Sequence, residues 1–508
     1  MSELMSYMKI EELLLKDTMK KGQIPGVSIA YINNQGIIST QEIGFTDGCG
    51  LVKMSKDPTQ CPFQELVLGS KNELGIGTKN TVIAFNKELY YVDQAAKMVQ
   101  KIALTEANKI AYEMLHAKCT ETYQLADGNE HEFIAALTGR MPPTEVKPDT
   151  VFGAASLSKP LFAYLVQKLV QANVSNTSQT GYDQFILPDT LKSFDLDTPL
   201  FHIIPLEEFN IDGMKFDLSD ESAAAHSKAL TARMVLSHTT GLAHGEMKFQ
   251  FLPNSQEKEH GYSNVGIIYL QQVIEKLTGA DLETLAQKHV FQPCGMVHST
   301  YGPKPCAANS LWTTAGDYAN FVKHLIHDST IENPFVPHTY MTKDKGLAGA
   351  TGIAKGNIPD TILQHVAWGL GWGLQTNDEG RVITAYHSGD MNDYRAWVVI
   401  DLQDKDKKNA VVFFANSHNG HILAEQIIPK TMQMEQAANY FFSKWGFARN
   451  FAELGGKTTR LGIKSSSGSS DSSPDTSIQD EPVEIKKETE KSDTSSIETY
   501  TSGWTFNA

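Results

Sequence analysis

Three short motifs that could serve one reaction occur in a fixed order: Ser156-Leu157-Ser158-Lys159, then Tyr262-Ser263-Asn264, then His387-Ser388-Gly389. A serine hydroxyl is a poor nucleophile at neutral pH and needs a positioned base to take its proton. Lysine acts that way only where burial or a neighbouring cation lowers its pKa toward neutrality. The strand-like Thr150-Val151-Phe152-Gly153 precedes the first motif and the apolar residues 161–166 follow it, a pattern that predicts a helix beginning at the serine. Lys159 then lies one turn on, on the same face, where its amine can reach the hydroxyl. Tyr262 is the candidate second proton carrier, and Asn264 points the same way if the segment is extended, where it could hold a substrate amide. His387 ends a strand-like run from Val382, and Gly389 would let a substrate approach the backbone closely. Backbone N–H groups of Ser156 and Asp390 could then stabilise an oxyanion.

Each motif has decoys. Ser6-x-x-Lys9 and Ser255-x-x-Lys258 match the first, Tyr31-Ile32-Asn33 and Tyr318-Ala319-Asn320 the second, and His418-Asn419-Gly420 the third. Ser6 has no strand before it, whereas Ser156 has both the strand and the apolar helix. Order and flanks therefore single out Ser156.

With these motifs the chain resembles the serine β-lactamase and penicillin-binding-protein superfamily, in particular its branch of class C β-lactamases, D-alanyl-D-alanine carboxypeptidases and class VIII esterases. Pro25-Gly26-Val27-Ser28-Ile29-Ala30 looks like that family's first strand, and Leu236-Ser237-His238-Thr239-Thr240-Gly241-Leu242 is similar to its "LLSHTSGL" segment. Phe291-Gln292-Pro293-Cys294-Gly295-Met296 resembles its "PLGM" turn, and His387-Ser388-Gly389-Asp390 with Tyr394-Arg395 its "HSGDNPGYRS" strand and turn. The likeness covers Met1 to about Thr46 and Thr144 to about Phe447. It implies Ser156 as acylated nucleophile, Lys159 and Tyr262 as the base pair, and Asn264 as a substrate contact. His387 stands in place of the lysine of the β-lactamase "KTG" triplet, as in some carboxypeptidases and esterases, which weakens a β-lactamase assignment. Met391-Asn392-Asp393 stands where the family often has Asn-Pro-Gly.

The elements that must position these residues follow from composition and pattern. With 508 residues and 41% hydrophobic content the chain can bury a large core. Its net charge of -15, without a compensating basic block, argues against nucleic acid and anionic membrane as partners. No apolar run approaches the roughly 20 residues of a membrane span. Residues 1–21 lack the apolar core of an export signal, and the five cysteines form an odd set, so a cytoplasmic protein with reduced thiols is expected.

The expected fold is α/β: an antiparallel sheet flanked by terminal helices, with a large helical subdomain inserted, as in β-lactamases and transpeptidases. The expected division is 1–47, the N-terminal part of the catalytic domain; 48–143, an extra helical insertion; 144–447, the rest of the catalytic domain; and 448–508, a linker and disordered acidic, Ser-rich tail. Within the insertion, the apolar spacing from Val92 to Cys119 predicts a long helix. From Lys464 onward almost nothing can bury, and the acidic patch before Trp504-Thr505-Phe506 looks like the C-terminal export signals of type IV secretion substrates, which would carry the protein into a host cell.

Other groupings yield no chemistry. His238 reads as a structural capping residue in a turn. Gly369-Leu370-Gly371-Trp372-Gly373 has the wrong spacing for a dinucleotide loop and reads as strand. Cys49, Cys61, His116 and Cys119 lack the spacing of a zinc knuckle, so neither metal nor cofactor is expected. The leading expectation is a serine hydrolase that forms an acyl-enzyme on a small-molecule or peptide ester or amide. Two alternatives stay open: a weakly active or inactive scaffold that binds a protein partner through its insertion and tail, and a β-lactamase or D,D-peptidase.

Overall fold

The computed structural model describes residues 15–16, 19, 24, 26–44, 145–174, 184–211, 213, 215–244, 249–251, 259–341, 364–391, 394–404, 408–417 and 420–432, and the backbone of 80–85, 88–93 and 98–102. All belong to one compact unit, Met1–Gly462. In chain order the strands are β1 (Gly26–Ile32), β2 (Ile38–Gly44), β3 (Asn80–Phe85), β4 (Glu88–Asp93), β5 (Met98–Ile102), β6 (Phe152–Gly153), β7 (Leu242–His244) and β8 (Phe249–Phe251). They continue with β9 (Trp312–Thr313), β10 (Thr339–Tyr340), β11 (Val366–Trp368), β12 (Gly373–Thr376), β13 (Val382–Met391), β14 (Tyr394–Asp401) and β15 (Ala410–Ala415). The longer helices are α1 (Ser158–Val174), α2 (Asn264–Thr278), α3 (Ala315–Leu325) and α4 (Gly420–Thr431).

An eight-stranded antiparallel sheet, ordered β10-β11-β12-β13-β14-β15-β1-β2, organises the molecule. The N-terminal hairpin β1–β2 joins it beside the C-terminal β15, so the helical block between β2 and β10 is an insertion, as the fold class requires. Alternation along the strands assigns the two faces. Val27, Ile29 and Tyr31 of β1, with Val411 and Phe413 of β15, pack with Leu15, Met19 and α4 residues Leu423, Ile427 and Ile428. Ala30, Ile32, Val412 and Phe414 point the other way, into the helical block with Phe162, Leu165 and Phe321. Because both faces are covered, β1 and β15 are buried at every residue.

Three local expectations need correction. Where spacing predicts a long helix from Val92, the described backbone forms an antiparallel three-stranded sheet, β3-β4-β5. Its strands carry Thr81, Val82, Ile83, Leu89, Tyr90, Tyr91 and Val92, residues that favour a pleated surface, and Met98, Val99 and Ile102 fit a short strand as well as a helix. The remainder of 48–143, like the tail, lies outside the described residues.

The segment Gly369 to Gly373 is not continuous strand but the reversal between β11 and β12. Gly371 has φ of 80°, and a Cβ on Gly369 would lie 2.2 Å from the Pro334 carbonyl oxygen. Asn264 does not continue an extended segment. It is the first residue of α2, whose cap is Ser263, the hydroxyl accepting from Gly266 N–H.

Candidate active site

The turn that carries Ser156 is assembled from distant parts of the chain. β6 pairs with β9, a 3-10 turn spans Ala155–Leu157, and α1 begins at Ser158 rather than at Ser156. Ala155 holds φ of 50°, a left-handed backbone that costs a non-glycine residue about 1 kcal/mol or more. Anchors over-determine that conformation. Ala154 N–H donates to Leu311 O at 2.8 Å, Ser158 Oγ donates to Ala155 O at 2.6 Å, and Leu311 N–H donates to Ser158 Oγ at 3.0 Å. Tyr318 and Tyr301 hydroxyls donate to the carbonyls of Leu157 at 2.9 Å and Ser158 at 3.1 Å. Within this buried turn Ser156 alone keeps partial exposure.

Gly389 faces the same turn. Counting by twos from Ala385, which packs toward the helical block, His387 and Gly389 share that face of β13. A Cβ on Gly389 would sit 2.4 Å from Ala154 O and 3.3 Å from Ala155 Cβ. The space that the glycine leaves is therefore taken by the nucleophile turn, not kept open for a substrate, which corrects the sequence reading of this residue.

Lys159 is fully buried, and its Nζ lies 2.9 Å from Ser156 Oγ and 2.6 Å from Ala308 O, to which it donates. Burial lowers its pKa from 10.5 to about 7. A Cys306 thiolate would oppose that shift, but burial also raises the Cys306 pKa and keeps the thiol protonated near neutrality. The neutral amine can donate to Ala308 O and present its lone pair to the Ser156 hydroxyl, so one geometry serves either proton placement.

Lys159 Nζ also stands over the Tyr262 ring, 4.9 Å from its centroid. The Tyr262 side chain is partly exposed, yet its hydroxyl oxygen is buried and has no partner within hydrogen-bond geometry. Burial raises its pKa; the neighbouring Ser156 hydroxyl lowers it by less. Tyr262 is thus a protonated phenol at neutral pH. Asn264 Oδ1 is likewise buried without a partner, in keeping with an amide available to a ligand.

His387 is fully buried, and its Nδ1 lies 2.7 Å from Ser388 O. That carbonyl can only accept, so Nδ1 carries the proton and Nε2, which has no partner, presents a lone pair. Burial, with Lys159 adding to it, lowers the His387 pKa to about 3. His260, at about 4, and His238, well below its usual value, are also held neutral by burial. With Trp368 and Tyr262 these three histidines form one aromatic cluster at centroid distances of 4.3 to 6.3 Å. Asp390 directs its carboxylate away from the cluster, to Arg395 at 3.0 Å and His421 of α4 at 3.3 Å.

Ser156, Lys159, Tyr262, His387 and Gly389 thus gather around one turn; Asn264 follows Tyr262 by two residues at the start of α2, and Asp390 follows Gly389 in β13. Ala308, Leu311 and Tyr301 escape sequence reading because no local motif marks them, and Tyr318 figures there only as a decoy of the second motif although its hydroxyl supports the nucleophile turn. Trp368 and His260 carry no motif either. His238, read from the sequence as a capping residue in a turn, ends the helix Ala232–Leu236 with φ of 55°, where glycine or asparagine is usual. Among the described residues no group of three or more His, Cys, Asp or Glu side chains is placed to hold a metal ion, and no helix is long and apolar enough to cross a membrane. Cys49, Cys61, His116, Cys119 and the decoy serines Ser6 and Ser255 lie outside the described residues.

The sequence profile of the Beta-lactamase family matches residues 124–426, beginning inside the segment read as foreign to that family. No curated protein matches. Similar solved structures include an octameric penicillin-binding protein homologue from Pyrococcus abyssi, 14% identical over 85% of this chain and 79% of that one, with a TM-score of 0.45. A D-alanine carboxypeptidase from Burkholderia cenocepacia is 14% identical over 83% of this chain and 99% of its own, with a TM-score of 0.43. A class C beta-lactamase is 14% identical over 84% and 97%, with a TM-score of 0.42.

Proposed function

We propose, since this chain belongs to the beta-lactamase family, whose members are serine hydrolases, that it hydrolyses an ester or amide through an acyl-enzyme on Ser156. The observation that carries this reading is the Lys159 amine, 2.9 Å from Ser156 Oγ and held at a pKa of about 7. A base with that pKa is about half neutral at pH 7 and still basic enough to take a proton in the transition state.

In the first step neutral Lys159 accepts the Ser156 proton as Oγ bonds to the acyl carbon, and the carbonyl oxygen takes up the negative charge. Backbone N–H groups of Ser156 and Asp390 stabilise that oxyanion. Tyr262, a protonated phenol, gives its proton to the leaving oxygen or nitrogen as the bond to it breaks, and is reprotonated by the Lys159 ammonium. A water then attacks the acyl carbon, its proton leaving by the same pair, and restores the Ser156 hydroxyl as the acid departs. Asn264 Oδ1 accepts a hydrogen bond from a substrate N–H.

Neutral His387 offers an acceptor, not a cation, at the position beside the nucleophile. That favours substrates with an uncharged or donor group there over those with a carboxylate, and so an esterase or amidase over a β-lactamase. A panel of neutral aryl esters, D-amino-acid amides and penicillins tests the preference. Turnover of esters or amides by wild type and its loss in Ser156→Ala is the expected result. Turnover that survives Ser156→Ala, or restricted to penicillins, overturns the reading.

A further inference from the structure

The helix Ala232–Leu236 ends in a way that backbone energetics alone would not select. His238 N–H donates to Val235 O at 3.1 Å and Thr239 N–H to Met234 O at 2.8 Å, a left-handed helix terminus with His238 at φ of 55°. Glycine takes this position without strain, asparagine nearly so, and a histidine at a cost of about 1 kcal/mol. A histidine here makes contacts that offset this cost and that glycine cannot make.

Those contacts surround Tyr262. The carbonyl oxygen of His238 accepts from Gly261 N–H at 2.7 Å, and its Nδ1 accepts from Ser263 N–H at 3.1 Å. The backbone on both sides of Tyr262 is thereby tied to one residue. Between the two bonds the imidazole stacks on the phenol ring, 4.3 Å between centroids with planes 35° apart. Trp368 and His260 also contact the imidazole, in edge-type arrangements at 5.2 and 6.0 Å between centroids. Ser263, the residue bonded to Nδ1, also caps α2, so the same clamp sets where α2 and Asn264 begin.

We propose that His238 is a positioning residue for Tyr262: its left-handed backbone and its ring together hold the phenol over Lys159. The role requires an acceptor at Nδ1 and a ring, and no change of charge. This inference rests on the acyl-transfer reading above, but the clamp itself is a structural statement that can be read without turnover.

Three substitutions separate the parts. His238→Gly keeps the backbone conformation and removes acceptor and ring; His238→Asn keeps the conformation and an acceptor; His238→Phe keeps a ring. A displacement of the phenol by about 1 Å should cost on the order of a hundredfold in kcat. We expect that loss in His238→Gly with KM changed less than about threefold, recovery to within about tenfold of wild type in His238→Asn, and an intermediate value in His238→Phe. In a Tyr262→Phe background His238→Gly should add less than about threefold, because both changes remove one function. A 3-fluorotyrosine placed at position 262 should show a shifted or broadened fluorine resonance in folded His238→Gly.

Wild-type kcat in His238→Gly, or a loss undiminished in the Tyr262→Phe background, would overturn the assignment. An unshifted fluorine resonance would do so even if the wild-type protein turned over no substrate, a result that would by itself count only against the acyl-transfer reading.

Discussion

The pH dependence of acylation is the prediction in which the geometry commits itself most narrowly. The proposed base is Lys159 with a pKa of about 7, and the other titratable rings beside Ser156 are neutral throughout the useful range, His387 falling to about 3 and His260 to about 4. The second-order rate constant should therefore follow the neutral lysine alone. Its base form makes up roughly nine-tenths of the population at pH 8, roughly a tenth at pH 6 and roughly a hundredth at pH 5. The rate should rise tenfold per unit up to pH 6 and level off above pH 8. No fall should occur below pH 10, since burial raises the Tyr262 phenol above its ordinary range. Stopped-flow acylation by an activated neutral aryl ester from pH 5 to 10, with folding checked at each pH, measures this. A flat profile from pH 5 to 9, or a limb at the ordinary lysine value near 10.5, would show that Lys159 is not a buried base. A limb below pH 5 would transfer the role to a histidine.

Two substitutions probe the supports of the site. Gly389→Ala places a methyl 2.4 Å from Ala154 O, so it should lower stability by about 1–3 kcal/mol, read as a fall in Tm, and cut kcat/KM by about a hundredfold through movement of the nucleophile turn; wild-type Tm and activity would refute the packing. Lys159→Met should abolish turnover yet raise Tm at pH 6. The depression from 10.5 to about 7 corresponds to roughly 4–5 kcal/mol against the charged form, and loss of the donor to Ala308 O returns about 1–3 kcal/mol of it. The sign follows from linkage: the unfolded lysine holds its proton up to its ordinary pKa, so wild-type stability rises with pH between about 7 and 10.5 and the advantage of methionine shrinks over that window. An advantage that grows with pH would contradict it.

What the sequence made legible was chemistry encoded at short range. Ser156 and Lys159 are one helical turn apart, and a period of two places His387 and Gly389 on one face of β13, so residue type and spacing suffice. The Ser263 hydroxyl before the apolar start of α2 was an available cap signal against an extended Asn264. Local patterns cannot show partners that arrive from afar. Ala308 O meets Lys159 across 149 positions, and Tyr318 meets Leu157 across 161. Gly389 was recognisable as a close approach but not as an approach to Ala154, because that contact exists only once sheet and helical block are packed. The strands of β3-β4-β5 were missed because apolar residues in so short a window fit either period, and hydrogen bonding to a neighbouring strand decides between them.

The central claim is that one hydroxyl forms the covalent intermediate. Incubation of the full chain with a fluorophosphonate, followed by intact mass and peptide mapping, tests it directly. The account predicts a single adduct on the peptide containing Ser156, lost in Ser156→Ala and slowed by about a hundredfold or more in Lys159→Ala. An adduct mapped to Ser158, Ser6, Ser255 or any other serine, or labelling undiminished in Ser156→Ala, would contradict it.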